Sequence, residues 1–101
     1  MFSSAALKTL IELANMAYKI YLDNDKSYFH ARTLYYINSE ILYILNSALT
    51  SGTGLSEKEK NLYIHLVQWR NTFEYYEKKL NPKPSDVFAF EKFPGTLPFP
   101  L

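Results

Sequence analysis

The feature that most limits the fold of this chain is the position of its helix-breaking residues. No proline occurs before Pro82, and no glycine occurs before Gly52. Proline removes a backbone donor and clashes with the preceding turn, and glycine raises the entropy cost of ordering, so both tend to interrupt helices. Their absence permits long helices across the first four-fifths of the chain.

Two helices are predicted before Gly52, at about residues 4–22 and 26–49. Between them, residues 23–27 read Asp-Asn-Asp-Lys-Ser, whose side chains favour turns and caps. The second helix is apolar over much of its circumference, because Ile37 and Ile44 widen its main stripe and Tyr36 and Tyr43 extend it further. Such a helix is usually packed on both sides, so the second helix is predicted to be the central one.

A third helix is predicted at about residues 56–81. Ser56 followed by Glu59 forms the capping-box pattern, in which each side chain satisfies the other residue's free backbone amide. Apolar residues then recur every three or four positions: Leu62, Leu66, Trp69, Phe73, Tyr76 and Leu80. Pro82 disfavours helix at Asn81 and ends the run. Residues 1–81 are therefore predicted to fold as an all-α, three-helix antiparallel bundle.

Residues 82–101 differ in composition from the predicted bundle. They contain all five prolines of the chain and four of its seven phenylalanines. Proline favours an extended backbone, whereas phenylalanine side chains need an apolar surface to bury them. We expect an extended C-terminal tail that packs along the bundle or serves as a docking peptide for a partner.

The composition indicates one soluble domain. The chain has 101 residues, 48% of them hydrophobic, and a net charge of +1, which provides no field to attract nucleic acid. It lacks cysteine, which favours a reducing compartment, and no apolar run is long enough to cross a bilayer. These features predict a cytoplasmic protein that does not bind nucleic acid.

No pattern of catalytic residues is present. The two histidines, His30 and His65, fall on different predicted helices, and there is no cysteine that could complete a metal site with them. No serine lies in a recognisable nucleophile turn, and no glycine-rich phosphate loop occurs. The sequence therefore predicts a protein that is not an enzyme, uses no cofactor or metal, and acts by binding a protein or peptide.

The junction between the first two helices contains an acidic residue, an aromatic residue, an alanine and a tyrosine pair: Asp23, Tyr28, Ala31 and Tyr35-Tyr36. Their spacing resembles that of MIT domains, the microtubule-interacting and trafficking modules. In that family an acidic residue ends helix 1, an aromatic residue starts helix 2, an alanine follows three residues later, and a tyrosine lies about one turn further on. The segment QWRNTFEYYEKKLN is similar to the family's helix 3, and the resemblance covers about residues 5–81.

This resemblance implies binding to short motifs in the tails of ESCRT membrane-remodelling subunits, at the cytoplasmic side of endosomal membranes. One type of motif is a helix that lies between helices 2 and 3, and another is an extended strand that lies between helices 1 and 3. By analogy, the partner-binding residues lie beside the core stripe of helix 3: Leu66, Val67, Arg70, Phe73, Glu74 and Glu77. Leu66 and Phe73 also fit a core role, and the two glutamates would orient a basic motif.

Two alternatives remain open. A helical-repeat unit has similar small-residue and aromatic spacing, and a free-standing bundle of the immunity or phage type could act as an inhibitor by binding a protein target. The tail adds a further hypothesis, in which Phe93, Leu97 and Phe99 anchor it in a groove of its own bundle or of a neighbouring molecule. The oligomeric state is not predicted.

Overall fold

The computed structural model describes residues 4–83, which form three α-helices: α1 (Ser4–Asp23), α2 (Tyr28–Thr50) and α3 (Glu57–Leu80). No strand occurs within this described part. The all-α fold and its three helices are confirmed. The predicted tail lies outside the described residues from position 84 onwards, and so do its anchors Phe93, Leu97 and Phe99.

The turn between α1 and α2 explains why α2 starts later than the sequence predicted. Asp25 and Lys26 adopt left-handed backbone conformations, with φ angles of 56° and 55°. The Lys26 amide donates to the Tyr21 carbonyl at 2.9 Å, which closes the end of α1. Ser27 then caps α2 by accepting a hydrogen bond from the His30 amide. The helix therefore begins at Tyr28 instead of Lys26.

The ends of α3 agree with the sequence prediction. The Glu59 amide donates to Ser56 Oγ at 3.2 Å, and the Ser56 amide donates to Glu59 Oε1 at 2.8 Å, so the capping box is formed. At the other end, Asn81 takes the left-handed conformation with φ 45°. Its amide donates to the Glu77 carbonyl at 2.9 Å, immediately before Pro82.

Contacts between helices establish the antiparallel arrangement. Tyr28, at the start of α2, donates to Glu77 near the end of α3, and Tyr35 donates to Glu74 one turn earlier on α3. The short connection at residues 24–27 likewise reverses the chain between α1 and α2. Because the number of helices is odd, Ser4 and Lys83 lie at opposite ends of the bundle.

α2 is the central helix, as its broad apolar surface predicted. It packs against both α1 and α3, whereas no Cα atom of α1 comes within 8 Å of a Cα atom of α3. The α1–α2 pair packs most closely, which the small buried side chains of Ala14, Ala17 and Ala31 allow. The core residues of the three helices are Leu7, Ile11, Ala14, Ala17, Tyr21, Tyr28, Ala31, Leu34, Ile41, Leu42, Leu45, Leu62, Leu66, Trp69 and Phe73.

Aromatic rings fill the space between α2 and α3. The Phe73 ring stacks on Tyr35, with centroids 4.7 Å apart, and on Trp69 of its own helix at 5.5 Å. Stacked pairs of this kind stabilise a core by about 0.5–1.5 kcal/mol beyond the burial of their area. These large rings hold α3 further from α2 than the alanines hold α1.

Candidate functional site

A surface pocket of about 340 Å³ lies between α2 and α3. Four residues of α2 line it at helical spacing, and three residues of α3 face them at the same spacing: Ser39, Leu42, Tyr43, Asn46, Tyr63, Val67 and Arg70. Leu42 is buried, whereas Tyr43 is 72% exposed at the edge. The exposed lining of the pocket is more polar than apolar, and Leu42 and Val67 are its aliphatic residues.

The helical repeat explains why these residues meet. Residues spaced by three, four and seven positions share one face of a helix, which places Ser39, Leu42 and Asn46 in a line on α2. Tyr63, Val67 and Arg70 form the matching line on α3, beside its core stripe. Because α2 and α3 run antiparallel, the two lines lie along opposite walls of one groove.

Arg70 gives the pocket its charge. Its side chain is half-buried, and it forms no hydrogen bond or ion pair with another residue in the described part of the chain. Its positive charge also acts on Tyr35: the hydrogen bond to Glu74 and burial raise the pKa of Tyr35, and Arg70 opposes this shift. A half-buried guanidinium without an acceptor can bind a carboxylate or a carbonyl oxygen in a bidentate manner.

Beside the pocket, a polar seam joins the remaining part of α2 to α3. Arg32 Nη1 lies 2.6 Å from Glu77 Oε2 and 2.6 Å from Tyr28 Oη, and Tyr28 also donates to Glu77. The Arg32 Nε group donates to Tyr36 Oη at 3.0 Å. Arg32 therefore links two tyrosines of α2 to one carboxylate of α3.

The contacts in the seam raise the pKa values of Tyr28, Tyr35 and Arg32, which favours their protonated, hydrogen-bonding forms. Burial raises the pKa of Tyr28, and its hydrogen bond to Glu77 adds to this effect, while Arg32 opposes it. The hydrogen bond to Glu74 is the main cause that raises the pKa of Tyr35, with burial second. Hydrogen bonds to Tyr28 and Tyr36 raise the pKa of Arg32. At neutral pH both phenols are therefore donors to the glutamates of α3.

The residues predicted to bind a partner fall into three places. Val67 and Arg70 line the pocket. Leu66 and Phe73 are in the core with an exposed fraction of 0%, so they support the α2–α3 packing and present no surface to a ligand.

The two glutamates lie in the seam. Glu77 is ion-paired with Arg32, and Glu74, which is exposed, accepts a hydrogen bond from Tyr35 at 2.6 Å. Glu77 is thus already occupied within the bundle. Glu74 keeps the exposure that an approaching basic side chain would need.

The α2 half of the pocket and Tyr63 were not predicted. The sequence signal was the extension of the α2 apolar surface to Tyr36 and Tyr43. That signal did not indicate which flank of α2 faces α3.

Other chemistry is limited in the described part of the chain. Within residues 4–83, no group of three or more histidine or acidic side chains is arranged to hold a metal ion. His30 Nδ1 lies 2.6 Å from Ser27 Oγ at the start of α2, and His65 is half-buried on α3. None of the three helices combines the length and apolar character needed to cross a bilayer.

Comparison of the chain with protein-family models, with curated proteins and with solved structures finds no match.

Proposed function

We propose that this chain is a protein-interaction module that binds a short segment of a partner protein in the α2–α3 pocket. The observation that carries this proposal is the half-buried guanidinium of Arg70, which lines the pocket and has no acceptor among residues 4–83. Its donors can be satisfied by water or by a carboxylate or carbonyl oxygen of a ligand that enters the pocket.

The pocket indicates the chemistry of the partner segment. Its volume of about 340 Å³ suits one or two anchoring side chains. An apolar or aromatic anchor would pack on Leu42 and Val67 between the rings of Tyr43 and Tyr63. A carboxylate next to that anchor would pair with Arg70, and Glu74 one turn further along α3 would face a basic residue. Such charge pairs mainly set orientation and specificity.

The finer form of the proposal comes from the resemblance to MIT domains. In it, the segment is a motif from the tail of an ESCRT-type membrane-remodelling protein, and the module acts at the cytoplasmic side of endosomal membranes. The position of the pocket between α2 and α3 supports the helical type of motif. The separation between α1 and α3 leaves the extended type as a second mode of binding for the same module.

The experiment selects displayed peptides against the full chain and then measures their affinity for four variants. Tyr43→Ala and Arg70→Glu change the pocket. Tyr75→Ala and Lys78→Glu are matched controls, because Tyr75 and Lys78 are exposed on α3 and do not line the pocket. All four sites are exposed or half-buried, so each variant is expected to fold.

We expect selected peptides to contain an apolar residue close to an acidic one. Their affinity should fall at least about tenfold for both pocket variants, or about 1.4 kcal/mol, and stay unchanged for the controls. Peptides that bind all five proteins equally would contradict the proposal. A pull-down that recovers a single folded target, bound equally well by Tyr43→Ala, would instead favour the inhibitor alternative.

A further inference from the structure

A second apolar surface runs along α1, on a different side of the bundle from the pocket. Leu13, Met16 and Ile20 are 45%, 62% and 46% exposed. They are spaced by three and four residues, so they form one continuous line on the helix. Isolated exposed apolar residues are common in soluble proteins, but a contiguous line of them indicates a surface that another group covers.

The line itself carries no charge. Leu10 continues it on α1, and the charged residues of that helix lie beside it, with Glu12 one turn before Met16. The resulting surface, called here the α1 face, consists of Leu10, Leu13, Met16 and Ile20.

The chain itself contains a segment with matching chemistry. Residues 93–101, with the sequence FPGTLPFPL, have no ionisable side chain and include four large apolar residues, Phe93, Leu97, Phe99 and Leu101. Three prolines in this segment disfavour a helix and favour an extended chain. The preceding residues, 84–92, carry the tail's charges at Asp86, Glu91 and Lys92. An uncharged apolar segment thus follows a charged one.

The reach of the tail also matches the distances that it would have to cover. Lys83 lies at the end of the bundle where α1 finishes, because Tyr28 and Glu77 meet there. Residues 84–92 can span about 30 Å when extended, which exceeds the 24 Å and 18 Å widths of the molecule. They can therefore cross from α3 to α1. Residues 93–99 then cover about 19 Å in an extended conformation, and the line from Ile20 to Leu10 is about 15 Å long.

We propose that residues 93–101 dock on the α1 face of their own molecule. Phe93, Leu97 and Phe99 cover the line from Ile20 through Met16 and Leu13 to Leu10, while residues 84–92 cross the end of the bundle. The tail then buries an apolar surface that would otherwise promote association, and it leaves the α2–α3 pocket open. The inference is independent of the function proposed for that pocket.

A spin label at the tail tests this placement in the full-length chain. The protein contains no cysteine, so Thr96→Cys provides a unique attachment site for a nitroxide. We expect the label to broaden the methyl NMR signals of Leu13, Met16 and Ile20 by more than half, and reduction of the label should restore them. The methyl signals of Ile64, which is 55% exposed on α3, should keep their intensity.

A second variant and a mixed sample complete the test. Leu13→Asp in the labelled chain should abolish the broadening at Met16 and Ile20, whereas the matched Ile64→Asp should not. Equal broadening at Ile64 and the α1 face would overturn the proposal. So would equal broadening when spin-labelled chains without isotopes are mixed with isotope-labelled chains without spin label, because a second copy would then be the occupant.

Discussion

Asn38 and Arg70 are two polar residues of the bundle that differ in their access to a hydrogen-bond partner from outside. Asn38 is in the core of α2 with 1% of its surface exposed, and among residues 4–83 neither its amide nitrogen nor its carbonyl oxygen has a hydrogen-bond partner. A buried polar group without a partner costs about 1–3 kcal/mol of stability. Arg70 lies at a pocket that a ligand can enter, so its missing partner can be supplied from outside. No such route exists for Asn38.

Replacement of Asn38 by leucine is therefore expected to stabilise the protein. Leucine has the same number of side-chain heavy atoms and no polar group to desolvate, so the free energy of unfolding should rise by about 1 kcal/mol or more. Urea unfolding measures this change. The control is Asn46→Leu on the exposed side of α2, for which a change within about 0.5 kcal/mol is expected. A loss of stability in Asn38→Leu alone would show that the amide is satisfied in solution.

At the scale of helices and turns, the sequence correctly predicted the features that depend on residues close together in the chain. The three-and-four periodicity of α3, the capping box at Ser56 and the stop before Pro82 are set by residues close in the chain, and all three are confirmed. The predicted start of α2 was two residues too early, because nothing in the residue types of Asp25 and Lys26 required a left-handed conformation. Asparagine and glycine signal that conformation more clearly.

The candidate site was predicted only in part, for a related reason. Val67 and Arg70 could be identified because they lie beside the core stripe of their own helix. The pairing of Glu77 with Arg32, 45 residues away, depends on how α2 rotates against α3. Periodicity identifies the apolar face of a helix but not the neighbour that each flank meets. Leu42, Tyr43 and Asn46 were missed for this reason.

The α1–α2 turn allows a test with one substitution at two sites. Lys26 has a φ angle of 55°, a conformation that costs a non-glycine residue about 1–2 kcal/mol. Lys26→Gly should raise the free energy of unfolding by about 1 kcal/mol, after the added flexibility of the unfolded chain is subtracted. The same change at Lys19, which is exposed inside α1, should lower it by about 1 kcal/mol.

Chemical denaturation of the two glycine variants shows whether each one raises or lowers the free energy of unfolding. If Lys26→Gly destabilises the protein as much as Lys19→Gly does, the left-handed conformation of the turn would be contradicted. Circular dichroism of both variants checks that the helix content is preserved.

At the scale of the whole molecule, α2 is the common support of the fold. It packs against α1 through small side chains and against α3 through aromatic rings, while α1 and α3 keep more than 8 Å between their Cα atoms. We therefore expect either outer helix to open separately from the other, and both to lose their support when α2 unfolds. Local stability should be highest in the middle of α2.

Native-state hydrogen exchange measures this distribution. We expect the amides of Leu42 and Leu45 to exchange most slowly, with opening free energies close to that of global unfolding. The amides of Leu10 in α1 and Val67 in α3 should exchange faster, through separate opening of each outer helix. Equal protection in all three helices would show that the bundle opens as a single unit.

The odd number of helices has a mechanical consequence. A force that pulls Ser4 and Lys83 apart acts along the helix axes, because these residues lie at opposite poles, about 36 Å apart by the length of α3. Such a load shears the interfaces instead of peeling the helices from one end, and every contact along an interface must yield together. The bundle should therefore resist stretching between its poles more strongly than a two-helix hairpin pulled open from its free ends.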